Sequence, residues 1–471
     1  MSSSMLTRRE ILARTGCGFG MAALAGILEG AEANPLAPKP APLPTKAKAV
    51  IYLHMHGGVS HVDTFDPKPA LTKYNGKTLS AELAKTIKTS FIHDPSKAIL
   101  RGSPWEFRPG GKSGLPVSDL YPNLREVADD LVVLRGCYSD QFDHAPAIYL
   151  RHTGHQLPGR PCLGSWVTYG LGTENQNLPA FVVMSDGSTK SGPPAYSAGF
   201  LPAVFQGTIF RSGESPILYL KNPEGVKDDT QRATLDFINR IDRIQQRTRP
   251  GDSTLDARIA SYELAWRMQS SAPDAVDITK ESEATKQLYG IGEEHTDDFG
   301  RKCLLARRLV ERGVRFIELI SGTNVGQDWD DAHTDLTGSH ARMTKKTDKP
   351  IAGLLKDLKA RGLLDSTLIV WGGEFGRTPL SQGDNGRDHH PYGYSSWLAG
   401  AGIKGGRALG STDEFGVQAE DMKVDAHDLN ATILKLMGID HLKLTYLYQG
   451  RDMRLTDVKG FGEFSSKLLS A

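Results

Sequence analysis

The chain has 471 residues, of which 56 are Lys or Arg and 55 are Asp or Glu, so its formal net charge at pH 7 is +1. This balance excludes a strongly acidic disordered chain and a polybasic nucleic-acid-binding protein, and we expect no nucleic-acid partner. Gly is abundant, with 50 residues, but follows no period, which excludes a collagen-like protein. The length and the 39% hydrophobic content are typical of a globular protein with a large core.

The N-terminal residues have the pattern of an export signal. Arg8 and Arg9 form a twin-arginine pair, an apolar stretch rich in Gly and Ala follows, and Ala31-Glu32-Ala33 is a small-x-small cleavage site. The alternative, a cytosolic helix, does not account for these features together. We predict a signal peptide over residues 1–33, the Tat export machinery as a partner, and a mature protein in the periplasm or cell envelope with no stable membrane span.

The segment after the signal is rich in proline, with five prolines between residues 34 and 46. Such a density disfavours helix and strand and is typical of an extended tether. The folded body is predicted to be one domain over residues 47–471. Its cysteines are odd in number and lack a Cys-x-x-Cys spacing, so neither a disulfide framework nor a thiolate zinc site is predicted.

Short runs of apolar and β-branched residues recur along this domain, each followed by Gly, Ser or polar residues. They predict buried strands at residues 49–53, 131–134, 180–184, 315–320 and 367–371. Helical periodicity fills the intervals, most clearly over residues 351–358. This alternation favours an α/β fold with a mostly parallel central sheet. Residues 226–312 lack a convincing strand and are predicted to form a helical insertion or cap.

Histidines cluster where the first predicted strand ends. His54, His56 and His61 surround Gly57-Gly58, whose glycines permit a tight turn. Ligands bind at the carboxyl ends of strands in α/β sheets, and imidazole with carboxylate suits Zn, Mn or Fe. Alternation along the strand would also place His54 and His56 on one face as hydrogen-bonded core histidines. The residues alone leave both interpretations open.

Two further clusters follow later strands. His144 comes after the strand at 131–134, and Asp330 with His333 comes after the strand at 315–320. The spacing of Asp330 and His333 lets both side chains reach one ion from a loop. A solvated acidic loop is also consistent with this pattern.

The last clusters combine carboxylates with arginine. Glu374 and Arg377 follow the strand at 367–371 among glycines. A guanidinium suits a bidentate oxyanion there, but a structural ion pair between Glu374 and Arg377 is also consistent. The polar loop that follows carries Arg387, Asp388, His389 and His390. Together the clusters favour a pocket for metal-assisted or oxyanion chemistry.

A series of ordered motifs resembles one protein family. The motifs are HMHGGVSHVDTFDPKP, LLARRLVERGVRFIEL, TLIVWGGEFGRTP, GRDHHPYGY, AGAGIKGGRALGSTDEFG, HDLNATILKLMGID and LTYLYQGRDMRLTDV. They are similar to a family of Tat-exported bacterial proteins, labelled as a domain of unknown function, within the alkaline phosphatase and sulfatase superfamily. The resemblance covers about residues 47–458 and implies an alkaline-phosphatase-like α/β/α sandwich. It also implies one or two divalent metals held by Asp and His, beside a Ser, Thr or formylglycine nucleophile.

The chain departs from the superfamily pattern at several positions. Glu374 and Phe375 stand where the superfamily strand ends in Asp-His, and His56 stands where its first strand delivers an Asp. Asp330 and His333 resemble the Asp and His pair of the other metal and match best. The resemblance therefore implies that one metal ligand has been lost at Phe375.

The nucleophile position differs most. His144 stands in the place of the sulfatase Cys, in a stretch that keeps Pro146 and Thr153-Gly154 but not the Ser and Arg. A formylglycine cannot be made from His144, so sulfatase chemistry of the known kind is not expected. The role of His144 stays open between a metal ligand, a general base and a phosphorylated nucleophile.

These patterns lead to one expected function and one alternative. We expect an exported, metal-assisted hydrolase of phosphate- or sulfate-type esters, with a small-molecule or polysaccharide ester as substrate and a divalent Zn, Mn or Fe ion as cofactor. The expected residues are His144, Arg377 and Glu374 for catalysis, Arg387 and His390 for substrate binding, and His56, Asp330, His333, Asp388 and His389 for the metal. The alternative is a non-catalytic envelope-binding protein on the same fold with a degenerate site.

Overall fold

The structure is a computed structural model. It describes residues 34–470 apart from positions 86, 88, 186, 188, 212, 214–215, 218–221, 223, 249–252, 323–327, 458 and 461. The predicted signal peptide over residues 1–33 lies outside the described residues.

The strands are numbered here in chain order. They are β1 (Ala49–Met55), β2 (Phe107–Gly110), β3 (Leu115–Ser118), β4 (Leu131–Cys137), β5 (Phe181–Ser185), β6 (Thr208–Phe210), β7 (Phe316–Ser321), β8 (Thr367–Gly372), β9 (Gly376–Arg377), β10 (His389–His390), β11 (Tyr394–Gly400), β12 (Arg407–Leu409), β13 (Ser411–Thr412), β14 (Ala419–Asp421), β15 (Tyr446–Tyr448) and β16 (Arg451–Met453).

The α-helices are numbered in the same way. They are α1 (Pro69–Lys73), α2 (Ala81–Ala84), α3 (Pro122–Glu126), α4 (His144–Thr153), α5 (Leu163–Leu171), α6 (Asp228–Thr248), α7 (Ser253–Val276), α8 (Glu283–Leu288), α9 (Asp297–Glu311), α10 (Leu336–Ala360), α11 (Ala426–Leu436) and α12 (Ser465–Leu469).

A central sheet organises the domain. Across the described part of the chain it has eight strands in the spatial order β12-β4-β11-β8-β1-β7-β5-β6. Strand β11 runs antiparallel to both of its neighbours, while the remaining pairings are parallel. The prediction of a mostly parallel sheet is confirmed, and the five predicted strands are β1, β4, β5, β7 and β8. Their apolar runs are continuous, not alternating, because both faces of a parallel sheet are covered.

Helices cover both faces of the sheet. Along β1, Ile51 and Leu53 point into one apolar core, which α3, α7, α9 and α10 complete. Val50 and Tyr52 point into a second core, which α4, α5, α11 and α12 complete. Successive side chains of a strand face opposite sides, so each face of the sheet carries its own core. The α/β/α sandwich expected from the sequence is confirmed.

The region over residues 226–312 holds α6, α7, α8 and α9. Helix α9 buries Cys303, Leu304 and Leu309 against the sheet, so this end of the region is part of the sandwich itself. Helix α6 packs against α7, and none of its described side chains belongs to the two cores. Within the described residues, none of the helices combines the length and apolar character needed to cross a membrane.

The proline-rich segment over residues 34–46 lies against the body and does not extend away from it as a tether. The backbone N–H of Lys39 donates to the carbonyl of Leu171, and that of Leu43 donates to the carbonyl of Gly438. Leu36 is buried in the second core. Proline prevents regular structure here, but the remaining N–H groups still find acceptors at the ends of α5 and α11.

Two neutral histidines in the interior make stability sensitive to acid. Burial lowers the pKa of His61 and of His340 from 6.5 to about 3. Each group binds a proton in the unfolded chain below pH 6.5 but not in the folded chain until about pH 3, so folding is progressively opposed as pH falls through that window. Between pH 7 and pH 5 we expect each histidine to lower the free energy of unfolding by about 2 kcal/mol.

This expectation is checked by denaturant unfolding at several pH values. His340→Gln should flatten the pH dependence, because Gln does not titrate and can still accept the backbone N–H of Ser60 that reaches His340 Nε2 at 3.0 Å. The exposed residue His295 provides the control, since His295→Gln should leave the slope unchanged. An equal slope in native protein and His340→Gln would contradict the assignment.

Candidate metal and anion site

The candidate site lies where the carboxyl ends of neighbouring parallel strands meet. β1 pairs with both β7 and β8, so the segments that follow these three strands are adjacent. His56 follows β1, the turn Trp329–His333 follows β7, and Glu374 follows β8. His144, the first residue of α4, enters from the segment after β4. Ligands bind at this edge in open α/β sheets, as the sequence led us to expect.

A glycine turn lets these segments approach closely. Gly57 has a φ of 115°, and a Cβ atom there would lie 2.6 Å from the backbone nitrogen of Asp330. Gly58 has a φ of 82°, and a Cβ atom there would meet the ring of Phe375 at 2.8 Å. Only glycine combines this backbone conformation with so close a contact. The turn after β1 can therefore pack directly against the turn that carries Asp330.

One carboxylate oxygen stands at the centre of the site. Asp330 Oδ1 lies 2.9 Å from His144 Nε2, 3.2 Å from His333 Nε2 and 3.0 Å from His389 Nε2. His333 Nε2 and His389 Nε2 are 2.9 Å apart. His144 of α4, His333 of the turn after β7 and His389 of β10 thus each direct Nε2 at this oxygen, which we call the shared point.

Two of these imidazoles are oriented by acceptors behind them. His144 Nδ1 donates to Glu374 Oε1 at 2.6 Å, and the same oxygen accepts the backbone N–H of Gly57 at 2.9 Å. His333 Nδ1 donates to Gln382 Oε1 at 2.6 Å. With a cation at the shared point, such partners would hold the proton on Nδ1 and leave the Nε2 lone pair for the ion, whereas without one Nε2 of His144 lies in hydrogen-bond contact with Asp330 Oδ1. Glu374 is buried and contacts His144 on the side away from the shared point, so its contacts orient the imidazole and do not support its prediction as a catalytic group.

The electrostatics of the cluster favour a charged carboxylate at Asp330 and a neutral imidazole at His389, but they favour the protonated form of His144. Burial opposes ionisation of Asp330, but hydrogen bonds from His144, His333 and His389 and the charge of Arg377 hold the pKa of Asp330 well below its usual range. Burial lowers the pKa of His389 to about 3. Burial also opposes protonation of His144, yet hydrogen bonds to Asp330 and Glu374 raise its pKa. Ionised carboxylate and neutral imidazole are the forms that bind a metal ion.

Arg377 braces the site from within. Its Nε donates to the carbonyl of Gly58 at 3.0 Å, and its Nη2 donates to the carbonyl of Gly57 and to Asp330 Oδ1 at 2.7 Å. Its Nη1 donates to the carbonyl of Arg387 at 3.2 Å, and the side chain is fully buried. Because each nitrogen already has an acceptor, these contacts do not support the prediction that Arg377 binds a substrate oxyanion.

Lys190 supplies a partly exposed cation that the motif analysis missed. Its Nζ contacts Asp330 Oδ2 and lies 3.3 Å from His144 Nε2 and 3.4 Å from Asp328 Oδ2. The side chain is 29% exposed. Lys190 follows β5 at the same edge of the sheet, so the strand-end rule applied to β5 would have identified it.

His56 does not join the cluster. Its Nε2 accepts the backbone N–H of Lys190 at 3.1 Å, and its side chain is fully buried. His54 is buried below it, with Nε2 3.6 Å from Glu374 Oε2. The structure therefore favours the interpretation of both as core histidines, and the contacts of His56 do not support its prediction as a metal ligand. Its role is to hold the backbone of Lys190.

Asp388 binds the backbone of residues 91–92 beside the site. Its Oδ2 accepts the backbone N–H groups of Phe91 at 2.7 Å and of Ile92 at 3.0 Å, and its Oδ1 accepts the N–H of His389 at 2.7 Å. Its Oδ1 is also 3.9 Å from His333 Nδ1. The ring of Phe91 lies edge-on to His333, with centroids 4.7 Å apart. Asp388 is thus beside the cluster, but its oxygens already accept three backbone hydrogens.

Arg387 and His390 point away from the cluster. The guanidinium of Arg387 forms a bidentate pair with Asp63, at 2.8 Å and 3.2 Å, in which both side chains are fully buried. His390 Nε2 donates to the carbonyl of Val417 at 2.7 Å, and its side chain is buried. These contacts do not support the prediction that the two residues bind substrate. The polar residues of this loop form hydrogen bonds in the protein interior.

The donor set fits a small divalent cation. His144, Asp330 and His389 offer ligand atoms within 4.8 Å of one another, and His333, Asp388 and His389 form an overlapping group with the same property. Nitrogen and carboxylate oxygen donors at this separation suit Zn, Mn or Fe. Phe375 packs its ring 5.0 Å from His144 and 4.5 Å from His389, which agrees with the loss of a ligand at that position. His144, Asp330, His333 and His389 are the residues that would hold the ion.

The fold and the cluster together define an α/β/α protein with a histidine and carboxylate site at the carboxyl ends of its strands. The chain belongs to the family DUF1501, described as a protein of unknown function, whose match covers residues 47–462. The family resemblance read from the motifs is thereby confirmed. No curated protein matches the chain significantly in sequence.

The solved structures to which the chain is similar include a lipoteichoic acid synthase, a sulfatase and a mutant alkaline phosphatase. The lipoteichoic acid synthase LtaP from Listeria monocytogenes is 8% identical, with a TM-score of 0.36 over 92% of this chain and 80% of that one. PsFucS1 sulfatase from Pseudoalteromonas sp. is 13% identical, with a TM-score of 0.36 over 90% and 72%. A mutant TAB5 alkaline phosphatase with Mg bound is 12% identical, with a TM-score of 0.36 over 84% and 99%. Similarities of this size do not support an inference about activity.

Proposed function

We propose that this protein is a metal-dependent hydrolase of phosphate- or sulfate-type esters that acts after export to the periplasm or cell envelope. The observation that carries the proposal is the convergence of three imidazole Nε2 atoms on one oxygen of Asp330, at 2.9 Å, 3.2 Å and 3.0 Å. Export is supported by Arg8-Arg9 and the apolar stretch that follows them, which implies the Tat machinery as a partner.

The proposed ligands are His144, Asp330, His333 and His389. A divalent ion held there would act as a Lewis acid on an ester oxygen and would lower the pKa of water. Glu374 and Gln382 keep Nε2 of His144 and His333 directed at the shared point. Preorientation of this kind removes the cost of ordering the imidazoles when a ligand binds.

Lys190 is the proposed anion-binding residue. Its ammonium group stands next to Asp330 and His144 and is partly exposed, whereas Arg377 is buried and fully bonded. A lysine beside a metal site neutralises charge on a phosphate or sulfate group as a point charge. The backbone of Lys190 is fixed by His56, so the ammonium group is presented to the site from a defined position.

The test is elemental analysis by mass spectrometry of the protein after loading with Zn, Mn or Fe and dialysis. His389→Gln and His390→Gln form a matched pair, because the two histidines are adjacent and buried but only His389 reaches Asp330. We expect stoichiometric metal in native protein and in His390→Gln, and its loss in His389→Gln, with the same ranking in the hydrolysis of aryl phosphate and aryl sulfate esters.

The outcomes separate the proposals. Native protein that is folded by circular dichroism but retains none of the three metals would overturn the metal site and the hydrolase with it. Metal that is retained without hydrolysis of either ester class would favour the alternative, a non-catalytic envelope-binding protein on the same fold with a degenerate site. The commitment of Arg377 to backbone carbonyls is the observation that favours this alternative.

A further inference from the structure

Phe91 is an exposed aromatic residue in contact with the candidate site. The residue is 57% exposed. Its ring centroid lies 4.7 Å from that of His333 and 6.2 Å from that of His389, with the ring planes tilted by 77° and 76°. The two imidazole centroids are themselves 4.5 Å apart, so both imidazoles lie to the same side of Phe91. An edge-to-face contact uses at most one face of a ring, so the imidazoles leave a face of Phe91 uncovered.

The backbone that carries Phe91 is held in place by polar contacts. The buried carboxylate of Asp388 accepts the N–H groups of Phe91 and Ile92, at 2.7 Å and 3.0 Å. The carbonyl of Ile92 accepts the hydroxyl of Thr89, and the side chain of Ile92 packs against a small apolar cluster that includes Leu79. Hydrogen bonds to an ionised carboxylate are among the strong ones, so the position of the exposed ring is well defined.

Fixed aromatic rings are effective binding surfaces. A single exposed apolar side chain on a protein surface needs no explanation by itself. Phe91 differs because its backbone is held by a buried carboxylate and its ring contacts two of the proposed metal ligands. A ring whose position is set before binding offers a large contact area at a low cost in conformational entropy. Phe91 is therefore suited to stack against a ring of a bound ligand.

Phe91 and Lys190 contact different members of the histidine cluster. Lys190 Nζ lies 3.3 Å from His144 Nε2, whereas the ring of Phe91 contacts His333. The site thus combines a partly exposed cation with an exposed apolar ring. An ester of phosphate or sulfate has the same two parts, since its charged group is joined directly to the oxygen of an alcohol. A charged group held at the cluster and Lys190 would leave the alcohol part to contact Phe91.

We propose that Phe91 determines specificity by stacking against the alcohol part of the ester, and that this alcohol carries a ring with an apolar face. An aryl ring and a sugar ring both present such a face. The substrate class inferred here rests on the proposed function, because it assigns the charged part of the ester to the metal and to Lys190.

The test is isothermal titration calorimetry of the zinc-loaded full chain with phenylphosphonate and with methylphosphonate. The two ligands share one charged group and differ only in the organic group. We expect native protein to bind phenylphosphonate at least about tenfold more tightly, because only this ligand can stack on the ring of Phe91. Phe91→Ala should remove most of this preference, and Phe91→Tyr should retain it. Phe237→Ala is the matched control, since Phe237 is 62% exposed on α6 and should leave the preference unchanged.

The ratio of the two affinities separates stacking from a merely structural role. If Phe91 only supported His333, Phe91→Ala would weaken both phosphonates equally and the ratio would not change. Elemental analysis checks that Phe91→Ala retains its metal. The source of the ring follows from kcat/KM for phenyl phosphate and for glucose 6-phosphate, each compared with methyl phosphate. The ester whose advantage falls in Phe91→Ala identifies an aryl or a sugar alcohol.

The results distinguish this inference from the proposed function. Equal binding of the two phosphonates by native protein, binding of neither, or a preference that survives in Phe91→Ala would each overturn the specificity role of Phe91. A preference that is lost in Phe91→Ala, in protein that hydrolyses none of the esters, would support the ring contact and overturn the hydrolase alone.

Discussion

Asp330→Asn is expected to abolish stoichiometric metal binding and, with it, ester hydrolysis. Asp330 is the carboxylate that all three imidazoles of the cluster contact, and it also balances the charges of Arg377 and Lys190. Asn removes the negative ligand and the counter-charge of Arg377, and it leaves Lys190 with Asp328 alone, at 3.4 Å. Loss of an outer partner of a metal ligand costs about 10–100-fold in affinity, and we expect loss of the ligand to exceed that range.

The adjacent residue provides the control for Asp330→Asn. Asp331 pairs with Arg342 at 2.5 Å and has no contact with the three imidazoles. Asp331→Asn should therefore keep both metal content and hydrolysis, measured by elemental analysis and by competition with a chelator. Stoichiometric metal in a folded Asp330→Asn protein would show that the ion, if present, is held elsewhere.

Asp63→Asn is expected to lower the free energy of unfolding by about 3–5 kcal/mol, because it leaves the guanidinium of Arg387 buried without its partner. Both side chains are fully buried, and Arg387 bonds to two oxygens of Asp63. Burial opposes ionisation of Asp63, but the charge of Arg387 lowers the pKa of Asp63 below its usual value. Metal content should be unchanged, because neither side chain reaches the cluster around Asp330.

Denaturant unfolding measures this loss, and an exposed ion pair sets the comparison. Asp140 pairs with Lys459 at 2.9 Å with both side chains about half exposed. Asp140→Asn should change the free energy of unfolding by less than about 1 kcal/mol. The guanidinium of Arg387 also donates to the carbonyls of Thr378 at 3.1 Å and Arg101 at 2.9 Å, and a similarly small effect of Asp63→Asn would mean that these acceptors suffice for it. Such a result would reopen the prediction that Arg387 binds substrate.

The sandwich could be predicted because its signals are local. The runs that form β1, β7 and β8 are largely apolar, with Glu318 of β7 as a buried charged exception, which is what strands buried on both faces require. The docking of residues 34–46 could not be predicted, since it depends on acceptors at the ends of α5 and α11 that are distant in sequence. Proline content alone indicates only the absence of regular structure.

The candidate site was predicted in its location but not in its details. Strand-end position sufficed to select Asp330, His333 and His389, which the structure brings together. It could not separate them from Arg377, because the direction of a side chain depends on tertiary contacts. Arg377 follows a strand as the others do, yet its guanidinium turns inward to backbone carbonyls.

The roles of the residues that bind Nδ1 of the imidazoles could not be predicted from the sequence either. Gln382 contacts His333 and carries no charge, so composition and spacing give no reason to select it. The sequence predicts Glu374 as a catalytic group, and the structure shows it buried in contact with Nδ1 of His144. A carboxylate that orients a histidine and one that contacts substrate look the same in sequence, because the burial that distinguishes their surroundings is a property of the fold.

The brace formed by Arg377 has a consequence for how the chain folds. Arg377 donates to the carbonyls of Gly58 and Gly57, which are 319 and 320 residues earlier in the chain. A contact between such distant segments closes a long loop, and the chain entropy lost in that closure opposes the contact. Such contacts therefore form late and slowly. We therefore expect the ends of β1 and β8 to join only after nearly the whole domain has been synthesised. Cation capture would then follow folding and would not guide it.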